Sequence, residues 1–298
     1  MNSDPLAGEQ GLEIHLLVKV AAQNRNRYNP ICSSGGYSDR WGEPRFGHQP
    51  SDDLILGDDV HSRLLVSLAR VDHVCVLAAH LCAGTLYVHI TNVAADTTLV
   101  AETDRRALAN RANQLWHTDS SFKATPALAS VLSARTTPED GGETEFVSTR
   151  LACDRLSEGQ REELRDLVVV HSYATSRDQI DPALMTPVER AALPPVRWRL
   201  IWRNPANARD ALYIASHAGA IEGMDDARSR ALLARLIDEA TQSAHVYSHR
   251  WRAGDVILWD NRATMHRGRP WPGTQARLMV RTTISARDID GLDQVRPN

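Results

Sequence analysis

The sequence feature that most constrains this chain is a histidine two residues before an aspartate, within residues 115–122 (LWHTDSSF). On an extended backbone, residues i and i+2 point to the same side, so His117 and Asp119 can offer a nitrogen and an oxygen to one metal ion. A second, distant histidine would complete a ligand set of two histidines and one carboxylate, which is typical of non-haem Fe(II) oxygenases. Because His-x-Asp alone is more often a surface or hydrogen-bonded pair, the prediction depends on that partner.

The candidate partner is His266, in residues 259–268 (WDNRATMHRG). We expect His266 to follow a strand, as His117 does. The ends of separate strands can meet at the mouth of a β-barrel, so a separation of 149 residues (266 − 117) is no obstacle. The proposed ligands are therefore His117, Asp119 and His266, and Asp260 and Asn261 are interpreted as turn residues or groups that orient the ligands.

Two arginines follow His266 at regular distances. Arg277 lies 11 residues (277 − 266) and Arg281 lies 15 residues (281 − 266) after it. Residues four apart on a strand share a face, so both guanidinium groups can point into the cavity that holds the metal. Because arginine binds carboxylates through two parallel hydrogen bonds, the pair suits a dicarboxylate cosubstrate or an acidic substrate.

Short strands with a few helices between them dominate the sequence pattern. Strands are predicted over 86–93, 128–135 and 143–148, the last two forming a hairpin around the turn at Asp140, Gly141 and Gly142. The strongest helix is predicted over 225–243, where leucines recur at helical spacing. The pattern predicts a mainly β fold with α insertions, a double-stranded β-helix (jelly roll) flanked by helices.

Length and composition favour one globular domain over residues 1–298. A net charge of −3 gives no electrostatic reason to expect a nucleic-acid partner, and no apolar run reaches the roughly 18 residues of a membrane span. None of the four cysteines forms a CxxC pair, and residues 1–10 lack the apolar core of a signal peptide. We therefore expect a cytoplasmic protein with reduced cysteines and a small-molecule substrate.

The chain from about residue 86 to residue 285 resembles the 2-oxoglutarate-dependent dioxygenases of the taurine dioxygenase type, and most closely the 2,4-dichlorophenoxyacetate (2,4-D) dioxygenases. The resemblance covers about two thirds of the chain, the recognisable catalytic core, whereas residues 1–85 form an atypical N-terminal part. The matching segments are LWHTDSSF at 115–122, GGETEF at 141–146, HRW at 249–251, GD at 254–255 and WDNR at 259–262 leading to HRG at 266–268.

This resemblance implies an enzyme that uses Fe(II), 2-oxoglutarate and O2, and possible homo-oligomers. It implies that Fe(II) is held by His117, Asp119 and His266. It further implies that Thr144 and Arg277 hold the distal carboxylate of 2-oxoglutarate. On the same resemblance, Arg281 binds the substrate's carboxylate and His217 lies near the substrate. Because halogenating relatives lack the carboxylate ligand, Asp119 indicates a hydroxylase. The expected substrate is an aryloxyalkanoate such as 2,4-D, whose hydroxylation leads to a phenol and glyoxylate.

Three alternatives stay open from the sequence. A sulfonate would suit an arginine as well as a carboxylate does, which allows a taurine-like dioxygenase. The atypical residues 1–85 allow a catalytically impaired homologue that only binds ligands. A jelly-roll zinc hydrolase or isomerase is the third alternative, against which the set of Thr144, Arg277 and Arg281 argues, because hydrolysis needs no dicarboxylate anchor.

Overall fold

The computed structural model describes residues 88–297. The atypical part predicted for residues 1–85 lies outside this range. Within the described range the chain is mainly β with inserted helices, as predicted, and all strand pairings are antiparallel. The strands are β1 (Val88–Thr91), β2 (Ala127–Thr136), β3 (Thr144–Ser148), β4 (Val168–His171), β5 (Val196–Arg199), β6 (Ile201–Arg203), β7 (Asp210–Leu212), β8 (Ala218–Ile221), β9 (Tyr247–His249), β10 (Val256–Asp260), β11 (Thr264–Gly268) and β12 (Leu278–Ser285).

Helices lie mainly between the strands, and five of the seven in the described range begin at a residue whose side chain caps the helix. They are α1 (Arg105–Ala112), α2 (Thr149–Asp154), α3 (Glu158–Arg165), α4 (Tyr173–Asp178), α5 (Pro187–Ala192), α6 (Asp226–Ala240) and α7 (Leu292–Val295), with short 3-10 turns at Pro182–Leu184, Ser243–His245 and Asp288–Asp290. Helix α6 is the predicted long helix; Asp225 caps it, and it buries Leu233 and Leu236. Within the described residues no helix is long and apolar enough to cross a membrane.

Two sheets position the site. The larger has the order β1-β12-β2-β10, and the smaller has the order β11-β3-β9. Their buried side chains meet in one apolar cluster that includes Leu132 of β2, Phe146 of β3, Trp259 of β10 and Met279 of β12. Since each fully buried large apolar side chain contributes about 1.5–3 kcal/mol, this cluster holds the two sheets in a fixed relation.

The predicted hairpin of residues 128–148 is wrong. Strand β2 belongs to the larger sheet and β3 to the smaller one. Both edges of β2 are already paired, with β10 and with β12, so no edge remains for β3. Between them, Gly141 and Gly142 have φ values of +73° and +71°, a conformation that glycine adopts readily, and the chain crosses from one sheet to the other.

The middle of the chain also differs from prediction. Residues 196–203 form two short strands, β5 and β6, divided at Leu200. The Leu200 N–H donates to the carbonyl of Leu167, and its carbonyl accepts from the N–H of Tyr213. Helix α4 was not predicted, because its six residues are too few for a clear helical period.

Candidate active site

The structure brings His117 and His266 together through their backbones. The His117 N–H donates to the carbonyl of His266 (2.9 Å), and the His266 N–H donates to the carbonyl of His117 (2.8 Å). The two imidazole rings lie 4.2 Å apart, centre to centre. His266 follows strand β10, as expected, and itself lies inside β11, where it pairs with Phe146 of β3, whereas His117 follows helix α1 and not a strand. One edge of β11 pairs with β3, and His117 forms its two backbone hydrogen bonds with His266 on the other edge.

Asp119 completes a compact group with the two histidines. One side-chain ligand atom from each of the three residues lies within 4.8 Å of the others, and all three side chains are buried. The Nε2 of His266 lies 3.7 Å from the Oδ2 of Asp119. Among the histidine, cysteine and acidic side chains of residues 88–297, this group of three has a geometry that could hold a metal ion.

A buried hydrogen-bond network fixes the Asp119 carboxylate. Ser130 on β2 donates its hydroxyl to Oδ2 of Asp119 (2.6 Å) and accepts from the side-chain amide of Asn261 (2.8 Å). The amide oxygen of Asn261 accepts from the Trp259 indole (3.0 Å) and from the backbone N–H of Asp119 (3.2 Å). The sequence indicated the orienting role of Asn261 but missed Ser130, because a serine on a strand carries no motif.

The protonation states suit metal binding. Burial lowers the pKa of His117 and holds that of His266 well below its ordinary value, so both rings are neutral. Burial alone would raise the pKa of the Asp119 carboxyl. The Arg281 guanidinium, the two histidines and the hydrogen bond from Ser130 together outweigh burial, so the pKa lies below its ordinary value. The site therefore offers two neutral imidazoles and one carboxylate.

The ring orientations indicate which nitrogens are available. Nδ1 of His117 lies 2.7 Å from the carbonyl oxygen of Leu115, which assigns the ring hydrogen to Nδ1 and leaves Nε2 free as a ligand. The Nε2 of His266 faces Asp119. This donor set fits a divalent transition metal such as Fe(II), which accepts imidazole and carboxylate ligands together.

A cavity of about 470 Å³, which includes space open to solvent, lies beside the ligand group. Its wall contains His117 and His266 together with the predicted cosubstrate residues Thr144 and Arg277. The Trp251 indole donates to the Thr144 hydroxyl oxygen (2.9 Å), which leaves the Thr144 hydrogen free to donate elsewhere. Thr144 therefore presents a hydrogen-bond donor at this cavity.

Arg277 is almost completely buried in the wall of this cavity. Its guanidinium donates to the carbonyl of Gly142 (3.2 Å) and lies 5.0 Å from the centre of the Trp271 ring. Burial lowers the pKa of Arg277 to about 10, so the group is still charged at neutral pH. A buried cation of this kind favours an anionic ligand in the cavity.

Arg281 also lines the cavity, so the two arginines reach the same cavity, as predicted, although Arg277 lies just before strand β12. Its guanidinium contacts Oδ1 of Asp119, an ion pair that the sequence did not predict. The larger sheet therefore holds the Asp119 carboxylate at both oxygens, through Ser130 on β2 and Arg281 on β12.

His217 lies elsewhere in the site. Within the described residues it is not part of the wall of this cavity, but its ring centre lies 6.3 Å from that of His117. Its ring packs against Phe122 (4.8 Å) and Tyr173 (6.3 Å), and burial keeps its pKa well below the ordinary value. His217, Phe122 and Tyr173 form an aromatic group beside His117.

Two neutral histidines and an aspartate beside a cavity with a buried arginine are the donor set typical of non-haem Fe(II) oxygenases. Comparison with known proteins agrees. Residues 76–283 match the taurine catabolism dioxygenase TauD, TfdA family, and the chain belongs to this family. It is therefore a dioxygenase, which decides against a zinc hydrolase or isomerase.

The relatives include enzymes that act on aryloxyalkanoates. The chain is 41% identical over 198 residues (66% of this chain, 67% of the relative) to the alpha-ketoglutarate-dependent 2,4-dichlorophenoxyacetate dioxygenase of Burkholderia sp. (strain RASC). It is 35% identical over 204 residues (66% and 71%) to the (S)-phenoxypropionate/alpha-ketoglutarate-dioxygenase of Sphingobium herbicidovorans. Among solved structures, AAD-2 in complex with Mn(II) and N-oxalylglycine is similar, with a TM-score of 0.65 and 40% identity over 67% of this chain and 72% of that chain.

Proposed function

We propose that the chain is an Fe(II)- and 2-oxoglutarate-dependent dioxygenase that hydroxylates an aryloxyalkanoate such as 2,4-D. The observation that carries the proposal is the group of His117, Asp119 and His266 beside a cavity that contains Thr144 and the buried cation of Arg277. The relatives named for 2,4-D and phenoxypropionate support the substrate class. The similar structure with a divalent metal and N-oxalylglycine supports the metal and the cosubstrate.

In this proposal His117, Asp119 and His266 hold Fe(II). When bound, the iron would supply the oxidising chemistry by which the substrate, 2-oxoglutarate and O2 are converted to hydroxylated substrate, succinate and CO2. The chain's own part is to keep both imidazoles neutral through burial, to keep the carboxylate ionised beside Arg281, and to hold that carboxylate in one orientation through Ser130.

Thr144 and Arg277 hold the distal carboxylate of 2-oxoglutarate. The Thr144 hydroxyl has its hydrogen available because Trp251 occupies its oxygen as a donor. The Arg277 guanidinium is fixed by the Gly142 carbonyl and the Trp271 ring, so little side-chain freedom is lost when the cosubstrate binds. Both groups are buried, which strengthens their attraction for an anion.

Arg281 and the aromatic group of Phe122, Tyr173 and His217 bind the substrate. Arg281 is less buried than Arg277 and can reach a substrate carboxylate. The aromatic group lies beside His117, outside the described wall of the cosubstrate cavity, and offers ring faces to an aryl group. Hydroxylation of the carbon next to the ether oxygen gives a hemiacetal, which breaks down to a phenol and a 2-oxo acid, glyoxylate in the case of 2,4-D.

We further infer that the two main sheets are the halves of a double-stranded β-helix. Their antiparallel order and shared apolar cluster support this, as does the similarity to AAD-2. The single domain of residues 1–298, with its catalytic core at 86–285, and a cytoplasmic location stay predictions, as does a homo-oligomer.

A sulfonate such as taurine is the second candidate substrate, because the family description names taurine catabolism and Arg281 suits a sulfonate as well. The aromatic group beside His117 favours the aryloxyalkanoate, since a small alkyl sulfonate has no ring to contact it.

The test is to supply the purified full chain with Fe(II), 2-oxoglutarate and O2 and then with 2,4-D or taurine. We expect succinate and phenol to form in equal amounts with 2,4-D, little succinate with taurine, and none with Asp119→Ala. Coupled turnover of taurine without 2,4-D turnover would contradict the proposed substrate class. Failure of 2-oxoglutarate to bind the metal-loaded chain would contradict the proposed cosubstrate.

A further inference from the structure

Two buried N–H groups at the cosubstrate cavity have no partner among residues 88–297. They are Nε1 of Trp271 and Nε of Arg277, and both side chains line the cavity. An indole N–H can only donate, and buried donors are almost always paired in folded proteins. Two such donors at one cavity indicate an acceptor-rich ligand, and a carboxylate has only acceptor oxygens.

The backbone that carries Trp271 lies against the turn at Gly141 and Gly142. The N–H of Gly142 donates to the carbonyl of Pro270 (3.2 Å), which ties the segment before Trp271 to the turn before β3. At Gly141 a Cβ atom would lie 2.4 Å from the Pro270 oxygen and 3.2 Å from Cα of Trp271. The glycine therefore allows this close approach, and the position of Trp271 depends on it.

The orientation of Trp271 leaves its N–H edge for a ligand. The Arg277 guanidinium lies over the ring face, 5.0 Å from the ring centre, in a cation–π contact. The ring face is thus occupied, whereas the nitrogen at the ring edge is buried and lacks an acceptor among the described residues. Thr144 and Arg277, the two cosubstrate residues of the proposed function, line the same cavity.

We propose that Trp271 donates its indole N–H to the distal carboxylate of 2-oxoglutarate, as a third donor beside Thr144 and Arg277. This inference rests on the proposed cosubstrate. It adds Trp271 as a residue that favours 2-oxo acids with a second carboxylate over those without one. A 2-oxo acid that lacks the distal carboxylate gains nothing from Trp271. The preference for 2-oxoglutarate over such an acid is thus set in part by Trp271.

The test compares the wild-type chain with Trp271→Phe, which keeps an aromatic face for Arg277 and removes the N–H. Binding of 2-oxoglutarate and of 2-oxopentanoate to the Mn(II)-loaded full chain is measured by calorimetry, with the weaker acid followed by competition. Because a hydrogen bond to a charged group corresponds to roughly tenfold in affinity, we expect the Kd for 2-oxoglutarate to rise about tenfold. The Kd for 2-oxopentanoate should stay within about twofold.

Trp202→Phe is the matched control, since the Trp202 indole donates to the carbonyl of Asp290 (3.1 Å) away from the cavity. It should leave both Kd values unchanged. Trp271→His returns a ring N–H and should recover part of the lost 2-oxoglutarate affinity. Unchanged 2-oxoglutarate binding in Trp271→Phe, or equal weakening of both acids, would overturn the inference.

These outcomes are separate from the substrate assignment. If the wild-type chain binds 2-oxoglutarate but does not hydroxylate aryloxyalkanoates, the proposed substrate is wrong. The binding data for Trp271→Phe still test the role of Trp271 in that case. A wild-type chain that does not bind 2-oxoglutarate overturns both.

Discussion

Replacement of Ser130 by alanine tests whether the buried network around Asp119 supports metal binding. In the structure the Ser130 hydroxyl donates to Oδ2 of Asp119 (2.6 Å) and accepts from the Asn261 amide (2.8 Å). Ser130 is fully buried, so no water can enter to replace the hydroxyl without a change in packing. The substitution therefore leaves one carboxylate oxygen without this donor and one amide N–H without an acceptor.

The size of the effect follows from the charge of the acceptor. A hydrogen bond to a charged group is worth about 1.5–3 kcal/mol, and each 1.4 kcal/mol corresponds to about tenfold in binding. Removal of a group that orients a metal ligand lowers metal affinity by about 10- to 100-fold in comparable sites. We therefore expect the Kd for Mn(II) to rise by at least about tenfold in Ser130→Ala.

Calorimetric titration of the full chain with Mn(II) measures this Kd, and a thermal unfolding scan checks that the variant is folded. The control is Ser133→Ala, since Ser133 is a buried serine on the same strand with no hydrogen bond to Asp119 or Asn261. That variant should bind Mn(II) within about twofold of wild type. Wild-type affinity in a folded Ser130→Ala protein would refute the idea that this hydroxyl fixes the Asp119 carboxylate.

Three further changes have expected outcomes. Arg277→Lys keeps the charge but loses the planar fork, so the KM for 2-oxoglutarate in succinate release should rise about tenfold at similar kcat; an unchanged KM would disprove the anchor. Burial lowers the pKa of His171 from 6.5 to about 3, so between these values the unfolded chain binds more protons and stability falls as pH decreases below about 6.5. His171→Phe should therefore reduce the loss of unfolding free energy between pH 7 and 5, measured in urea, by up to about 1.4 kcal/mol per pH unit; identical pH dependence in both proteins would contradict this. Gly141→Ala places a Cβ 2.4 Å from the Pro270 oxygen at φ +73° and should destabilise the chain by more than Gly223→Ala, which has the same φ but open space around it and should cost about 1 kcal/mol in urea unfolding; equal losses would exclude the clash.

The ligand group could be predicted from sequence because its chemistry is local. His117 and Asp119 are two residues apart, and an extended backbone alone places their side chains together. The distant His266 could be proposed as their partner because it follows a predicted strand, but residue spacing contains no information about which segments meet, and the matching HRG segment of the resembling family supported the choice. The capped helices α3, α5 and α6 were also predictable, since the capping residues act on neighbouring backbone groups.

Strand pairing and the contacts of Arg281 and Ser130 could not be predicted. Alternation of apolar and polar residues shows which face of a strand is buried but not which strand lies beside it. The sequence therefore suggested a hairpin for β2 and β3, whereas the edges of β2 are taken by β10 and β12, strands that lie more than a hundred residues further along the chain. Arg281 and Ser130 contact Asp119 only because β12 and β2 are neighbours in the larger sheet.

The reciprocal backbone hydrogen bonds between His117 and His266 have a consequence for folding. They close a loop of 149 residues (266 − 117), so the two proposed metal ligands are adjacent only when the chain between them has brought both segments together. A metal ion held by both side chains would bind the closed form and not the open chain, and at 100 times its Kd it would stabilise the closed form by about 2.7 kcal/mol. The measured metal affinity therefore also depends on the fraction of molecules in which the segments around His117 and His266 are paired.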